Sequence, residues 1–193
     1  MKKIPTLFAR VFENKHIVDI TPEITPGCEE AFLHGEATIK VDGSCCAVID
    51  GEFYKRYDAK KGKTPPAGAI PCDNPDPVTG HHPHWVKIDE NNPSDKWFMK
   101  AARTYSEVYE TESIKPGTYE AIGPHFNENP YNLKNDILVK HGDVKIDVNR
   151  DFESVKEYLR ANNVEGIVFW LNGEPVCKIK KSDFGFKWPV KEI

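Results

Sequence analysis

Apolar residues alternate with polar ones in several short segments of the chain, a pattern that predicts strands with one buried face. Two turn dipeptides, Asp50-Gly51 and Asn172-Gly173, each lie between apolar runs, as in tight β-hairpins. The segments predicted as strands are 37–40, 45–49, 53–57, 118–122, 137–140, 165–171 and 175–180.

Two other segments place apolar residues at helical spacing. The first helix is predicted to begin with Ser94 as its N-terminal cap and to run to about Glu110. The second is predicted to begin at Asp151 and to end at Asn162. The side of the first helix that we expect to be buried carries Trp97, Phe98, Ala101, Ala102, Tyr105, Val108 and Tyr109. Helices mixed with several hairpins predict an α+β fold of largely antiparallel sheets.

Proline and glycine recur between Lys60 and Pro93, so neither a long helix nor a central strand is predicted there. We interpret residues 60–93 as an ordered insertion within a single domain that spans residues 1–193. The insertion also contains a cysteine and three histidines that could suggest a zinc site, but their spacing matches no standard structural zinc pattern. These residues are Cys72, His81, His82 and His84.

The composition excludes several classes of protein. With 26 Lys and Arg against 30 Asp and Glu, the net charge is −4, which argues against a protein that coats DNA. Any polyanion would have to be bound by a local patch of positive charge. No run approaches the roughly 18 apolar residues of a membrane span, and the N-terminus lacks the apolar stretch of a secretory signal. The five cysteines are an odd number and include no Cys-x-x-Cys pair, so we expect a cytoplasmic protein.

The last hairpin predicts an unusual group of charges. A two-residue turn at Asn172-Gly173 would pair Glu165 with Lys180 and Ile167 with Lys178, and would put the acid and both lysines on one face of the sheet. The alternative is an ordinary exposed ion pair between strands. The same register places Ile167, Phe169 and Val176 on the face of the charges, and Val168, Cys177 and Ile179 on the opposite face.

A second candidate group is Lys40-Val41-Asp42-Gly43. A lysine that ends a strand places its amine at the rim of the sheet, and the glycine allows the backbone to approach a ligand closely. The alternative is a surface turn, because Lys, Asp and Gly are common turn residues. The adjacent Cys45 and Cys46 are expected to pack rather than to react.

Taken in order, these motifs resemble those of the covalent nucleotidyltransferases, which include ATP-dependent DNA ligases, RNA ligases and mRNA capping enzymes. The motifs are Lys40-Val-Asp-Gly43, Arg56, Glu120 within Thr118-Tyr-Glu-Ala-Ile-Gly-Pro124, Glu165-Gly-Ile-Val-Phe169 and Lys178-Ile-Lys180. The chain is most similar to a small family of 5′-to-3′ RNA ligases found in vertebrates and scattered in bacteria and viruses. That closer similarity rests on Lys40-Val-Asp-Gly-Ser-Cys-Cys46, Asn129-Pro-Tyr131 and His141-Gly142, and the resemblance spans about residues 36–188.

Two departures favour an RNA ligase within this superfamily. DNA ligases and capping enzymes usually have an arginine where this chain has Cys45, two residues after the motif glycine. The sequence also ends soon after Lys180, so we expect no OB domain. The resemblance implies the nucleotidyltransferase fold, unrelated to ATP-grasp ligases, with largely antiparallel sheets flanked by helices.

The resemblance also implies a role for each motif residue. Lys40 would be the nucleophile that attacks the α-phosphorus of ATP. An ordinary lysine has a pKa of about 10.4 and is protonated at neutral pH, so nearby cations would be needed to favour the neutral amine. Of the nucleotide-binding residues, Lys178 and Lys180 would contact the α-phosphate, Arg56 a phosphate or the ribose, and Glu120 the ribose hydroxyls. Glu165 would orient the amine or a water molecule on the metal, which is expected to be Mg²⁺ or Mn²⁺.

The expected function is RNA repair, in which AMP passes to an RNA 5′-phosphate and that end is sealed to a 3′-hydroxyl. A basic segment for RNA is predicted at Lys55, Arg56, Lys60, Lys61 and Lys63, with a solvated loop as the alternative. Three other functions stay open: DNA ligation, GTP-dependent capping and a non-catalytic module that binds nucleotide or RNA. The sequence leaves the oligomeric state open.

Overall fold

The computed structural model describes residues 3–14 and 16–190. In chain order its elements are β1 (Phe8–Glu13), β2 (His16–Ile24), α1 (Glu29–His34), β3 (Glu36–Lys40), β4 (Ser44–Ile49), β5 (Glu52–Ala59), β6 (Ile70–Pro71), β7 (His82–Lys87), α2 (Lys96–Val108), β8 (Gly117–Ile122), β9 (Ile137–Lys140), β10 (Lys145–Ile146), α3 (Phe152–Ala161), β11 (Gly166–Leu171) and β12 (Glu174–Lys180). A short 3₁₀ helix, Lys181–Phe184, follows β12. The paired strands of the named sheets are antiparallel, which confirms the predicted α+β class.

The described chain divides into two compact units, which we name by their place in the sequence. The central unit contains residues 42–141 together with Lys3, and the terminal unit contains residues 4–41 and 142–190.

The central unit is built on a six-stranded sheet in the order β6-β7-β5-β4-β8-β9. The predicted hairpin at Asp50-Gly51 is confirmed, and both turn residues have positive φ, 51° and 79°, as this kind of turn requires. Helix α2 packs on the sheet through Ala101, which is completely buried beside Tyr119 and Leu138. The helix is preceded by Asp95 rather than by the predicted cap Ser94. Val108 in its last turn is exposed, although we expected it to be buried.

We expected no central strand within residues 60–93, and this prediction was also wrong. Strand β7 lies between β5 and β6 and pairs with β5 along its whole length. Pro83 lacks an N–H to donate, but its carbonyl accepts a hydrogen bond from the Cys72 N–H at 2.9 Å, just beyond the two-residue edge strand β6. The two-residue strand β6, which contains Pro71, forms the edge of the sheet.

The terminal unit contains a four-stranded sheet in the order β10-β3-β11-β12 and a two-stranded ribbon of β1 and β2. One face of the sheet forms its core, where residues of α1 and α3 pack against the strands. Helix α3 is capped as predicted, because the Asp151 side chain accepts a hydrogen bond from the Ser154 N–H at 2.8 Å. The core face carries Ala37, Ile167, Phe169, Cys177 and Ile179, each at most 2% exposed.

The predicted register of the last hairpin was correct near the turn and wrong beyond it. Leu171 pairs with Glu174, but an irregularity after Phe169 shifts the pairing by one residue, so that Lys180 faces Gly166 and Lys178 faces Val168. A one-residue shift moves side chains to the opposite face. Ile167 and Phe169 therefore lie in the core with Cys177 and Ile179, while Val168 shares the face of the two lysines.

No helix in the described ranges combines the length and the apolar character needed to cross a membrane. All five cysteines are free thiols.

The corrected register predicts that substitutions at the neighbouring residues Phe169 and Val168 lower the free energy of unfolding by different amounts. Phe169→Ala removes a fully buried ring that packs edge-on against Phe32, with ring centroids 5.3 Å apart, and should lower the free energy of unfolding by about 3–5 kcal/mol. Val168→Ala, on the opposite face, should lower it by less than about 1.5 kcal/mol. Urea denaturation of both variants measures the difference. Equal losses would contradict the assignment of faces.

Candidate functional site

Lys40 ends β3, which lies beside β11, and β12 on the far side of β11 carries Lys178 and Lys180. Gly166 of β11 pairs with Lys40 on one side and with Lys180 of β12 on the other, so the three residues form one row across the sheet. The Lys40 Nζ donates to Glu165 Oε2 at 2.5 Å, and the Lys180 Nζ lies 3.2 Å from Glu165 Oε1. Each oxygen of one carboxylate thus holds one lysine.

Gly166 makes this row possible. A Cβ atom added there would lie 2.3 Å from the carbonyl oxygen of Ile179, so any side chain would force the strands apart. The close approach of β11 to β12 brings Lys180 within reach of the carboxylate that precedes β11. The glycine therefore acts through strand spacing rather than through turn geometry.

Lys178 is a further cation of the same face. Burial, together with the positive charges of Lys40 and Lys180, lowers the pKa of Lys178 to about 8, although Glu165 acts in the opposite direction. The Lys178 amine is thus poorly solvated and surrounded mainly by positive charge. An anion that came close to it would gain strongly from the interaction.

Arg10 of β1 belongs to this group, and the sequence analysis missed it. Its guanidinium lies 2.5 Å from Asp183 Oδ1, and its charge contributes to the lowered pKa of Lys178. Asp183 also accepts a hydrogen bond from the Lys180 N–H at 2.8 Å. Arg10 reaches this group only because distant segments of the chain lie together. A sequence signal that could have indicated a further cation here was Asp183, an acid three residues after Lys180.

In the terminal unit the structure therefore brings together four of the six predicted site residues, Lys40, Glu165, Lys178 and Lys180. The positive charges of these lysines and of Arg10 exceed the negative charges of Glu165 and Asp183 by two. Such a group favours an anion with several negative charges, such as a polyphosphate.

The other two predicted residues, Glu120 and Arg56, lie in the central unit on β8 and β5, the two neighbours of β4. Glu120 pairs with Cys45 of β4, and its Oε2 lies 2.9 Å from the Nε2 of His141. The Nδ1 of that ring lies 2.9 Å from the Thr118 hydroxyl. The Glu120 carboxylate is 9% exposed and is held in place by this hydrogen-bonded chain.

Arg56 contacts an acid of its own strand, since its Nε donates to Asp58 Oδ1 at 2.9 Å. Lys55 is engaged in an ion pair with the buried Asp95, which gives it a structural role. Lys60, Lys61 and Lys63 are exposed. The prediction that this segment binds RNA stays a prediction.

The histidines of the 60–93 segment form no metal cluster in the part of the chain that the structure describes. His84 is 3% exposed, and its Nδ1 lies 2.9 Å from the carbonyl oxygen of His82, a local contact within β7. Within the same described ranges, one trio of potential ligands is close enough to share an ion: Cys45, Glu120 and His141. Sequence analysis assigned Cys45 to packing, because strand pairing with Glu120 is not visible in the sequence.

Comparison with known proteins places these motifs in a family. A family model described as RNA ligase 1 matches residues 66–193. The chain is similar to RNA ligase 1 of Danio rerio, with 25% identity over an alignment 241 residues long, gaps included, that covers 89% of this chain and 74% of the relative. RNA ligase 1 of Pongo abelii is 25% identical over 226 residues, covering 80% and 69%, and that of Rattus norvegicus is 25% identical over 224 residues, covering 81% and 69%.

The family model covers about two thirds of the chain and includes the segments that carry Glu120, Glu165, Lys178 and Lys180. The resemblance inferred from the motifs is confirmed, and the chain belongs to the RNA ligase 1 family.

Proposed function

We propose that this protein is an ATP-dependent RNA ligase that works through a covalent adenylate on Lys40. AMP would then pass to an RNA 5′-phosphate, and the activated end would be joined to a 3′-hydroxyl. The observation that carries the proposal is the Lys40 amine, held by Glu165 at 2.5 Å on a face that also carries Lys178 and Lys180.

In the first step the Lys40 nitrogen attacks the α-phosphorus of ATP. A bond forms between nitrogen and phosphorus, the bond from that phosphorus to the bridging oxygen breaks, and pyrophosphate leaves. The amine must give up a proton, and Glu165 is the nearest described group that accepts a hydrogen bond from it. Lys178 and Lys180 stabilise the negative charge that develops on the phosphate oxygens.

The second step takes place at the same α-phosphorus as the first, and the third takes place at the phosphorus of the RNA 5′-phosphate. An oxygen of the RNA 5′-phosphate displaces the lysine, which gives an RNA end capped by AMP through a pyrophosphate bond. The 3′-hydroxyl oxygen then attacks the RNA phosphorus, loses its proton and expels AMP. The cations around Lys40 neutralise charge in each step, which explains why one group of residues suits all three.

The site fits Mg²⁺ or Mn²⁺ held through water and phosphate. Both oxygens of Glu165 already hold lysines, so the carboxylate suits an outer-sphere contact through water rather than direct coordination. Hard divalent ions commonly keep several waters and bind phosphate oxygens directly. When bound, such an ion would offset negative charge on the phosphates.

Glu120 and Arg56 complete the proposal with contacts to the nucleotide. Glu120 would accept hydrogen bonds from the ribose hydroxyls, a role suited to a carboxylate whose orientation is fixed by His141. Arg56 would bind a phosphate or the ribose. We also propose the nucleotidyltransferase fold for this chain, acting in RNA repair in the cytoplasm.

The covalent step predicts that Lys40→Ala abolishes self-adenylation. Purified protein incubated with α-labelled ATP and Mg²⁺ should retain acid-labile label, and an intact mass about 329 Da higher, while the variant should retain none. Lys145→Ala is the matched control, because Lys145 pairs with Glu36 at the exposed surface of the same sheet. Circular dichroism checks the fold of both variants. Equal labelling of Lys40→Ala would refute the assignment, and labelling by GTP alone would favour a capping enzyme.

The acceptor is predicted to be RNA. A 5′-phosphorylated RNA strand should be joined to a 3′-hydroxyl RNA end at least about tenfold faster than a DNA strand of the same sequence, measured by gel electrophoresis. A protein that is adenylated normally but seals only DNA would be a DNA ligase. A folded protein that binds ATP but is never adenylated would be a binding module.

The lowered pKa of Lys178, about 8, predicts a pH dependence of nucleotide binding. The amine is charged below pH 8 and loses its charge as the pH rises through 8, so affinity for a non-hydrolysable ATP analogue should fall up to about tenfold from pH 7 to pH 9.5. Lys178→Met lacks this charge at every pH and should change less than about threefold over the same range. Calorimetric titration measures both, and parallel pH profiles would exclude Lys178 as a phosphate contact.

A further inference from the structure

The central unit contains three potential metal ligands, of which the proposed reaction uses Glu120, oriented by His141, and gives Cys45 no role. Cys45 and Glu120 pair directly across β4 and β8, and His141 follows β9, which pairs with β8. One ligand atom from each residue, the thiol sulfur, a carboxylate oxygen and a ring nitrogen, lies within 4.8 Å of the other two. Three different strands thus converge on one point.

The donor types identify the class of ion. Cysteine sulfur, histidine nitrogen and carboxylate oxygen are the three ligand types that bind Zn²⁺, and three protein ligands leave a fourth position open. Mg²⁺ and Ca²⁺ prefer oxygen and bind thiolates poorly. The Cys45 thiol therefore favours a transition-metal ion over the ion proposed for ATP.

The surroundings of His141 suit such an ion. In one tautomer of His141 the Nε2–H donates to Glu120 and Nδ1 accepts from the Thr118 hydroxyl. A hydroxyl can also accept a hydrogen bond, so the ring can move its proton to Nδ1 and keep the contact with Thr118. That tautomer frees Nε2 for a metal and gives the ligand the outer hydrogen bond that metal-binding histidines commonly have.

Glu120 and Arg56 have opposite electrostatic effects on the Cys45 thiol. Burial and the Glu120 carboxylate raise the pKa of Cys45 to about 12, so the thiol keeps its proton until a metal displaces it. The positive charge of Arg56 favours the thiolate and opposes a cation. Glu120 and the thiolate together would neutralise a divalent ion.

We propose that Cys45, Glu120 and His141 form a binding site for a thiophilic divalent cation of the Zn²⁺ class. Binding replaces the Cys45 S–H bond with a sulfur–metal bond and releases one proton to solvent. The fourth ligand position is left to water.

One consequence rests on the proposed function. Glu120 is assigned there to the ribose hydroxyls, and a carboxylate bound to a metal is less able to accept those hydrogen bonds. The cation would then inhibit nucleotide binding, which would make the protein sensitive to free Zn²⁺.

The test uses Co²⁺ as a spectroscopic substitute for Zn²⁺ on the full chain, reduced and without nucleotide. The wild type should bind one Co²⁺ with a near-ultraviolet charge-transfer band that reports a sulfur–cobalt bond. Cys45→Ser should lose the band, and His141→Asn should weaken Co²⁺ binding by at least about 100-fold, which is more than the loss of an outer hydrogen-bond partner costs. Circular dichroism with and without metal checks that the variants are folded.

Two matched variants control for other thiols and imidazoles of the same unit. Cys72→Ser and His81→Asn should keep the band at wild-type intensity. Absence of the band in the wild type, or its loss in Cys72→Ser, would overturn the site. These results do not depend on ligase activity, so they separate failure of this proposal from failure of the proposed function.

Inhibition is measured separately, by the affinity for a non-hydrolysable ATP analogue with and without one equivalent of Zn²⁺ in the presence of Mg²⁺. We expect at least about a fivefold loss in the wild type and less than about a twofold loss in Cys45→Ser. Zn²⁺ bound at the site without any loss of affinity would refute the shared use of Glu120.

Discussion

The carboxylate of Glu165 is the interaction on which the candidate site depends. Lys40 and Lys180 would repel each other across β11 if nothing lay between them, and one oxygen of Glu165 holds each amine. The arrangement needs both strand pairs of β11 and the missing side chain of Gly166. The sheet register, rather than any single loop, therefore fixes where the candidate nucleophile lies.

The excess of positive charge has a cost in the absence of a ligand. Lys178 is half-buried among cations, and its lowered pKa reflects an environment that disfavours the charged form. A structure optimised only for stability would place an apolar residue at this position. The same environment strengthens attraction to phosphate, which is the ligand that the proposed reaction brings to the site at every step.

Features formed by residues close in sequence were predicted well, because the local pattern of residue types decides them. The hairpin turns, the cap of α3 at Asp151 and the strand at 137–140 all follow from turn residues and periodicity. The errors arose where a local backbone irregularity or pairing with other strands decides the outcome. The irregularity after Phe169 changed the register of the last hairpin, and β7 formed despite Pro83 because β5 and β6 flank it.

The sequence by itself determined the family, the mixed α+β class and the identity of the charged residues, since ordered motifs and periodicity are local properties of the chain. The hairpin pattern already predicted that Glu165, Lys178 and Lys180 share one face. Only the tertiary structure added Lys40 and Arg10 to that group, and only it placed Cys45 against Glu120 and His141. The physical reason is that Lys40 and Cys45 meet these partners through backbone hydrogen bonds between strands far apart in sequence. The alternation of side chains along one strand indicates which face is buried but does not by itself identify the strand that will pair with it.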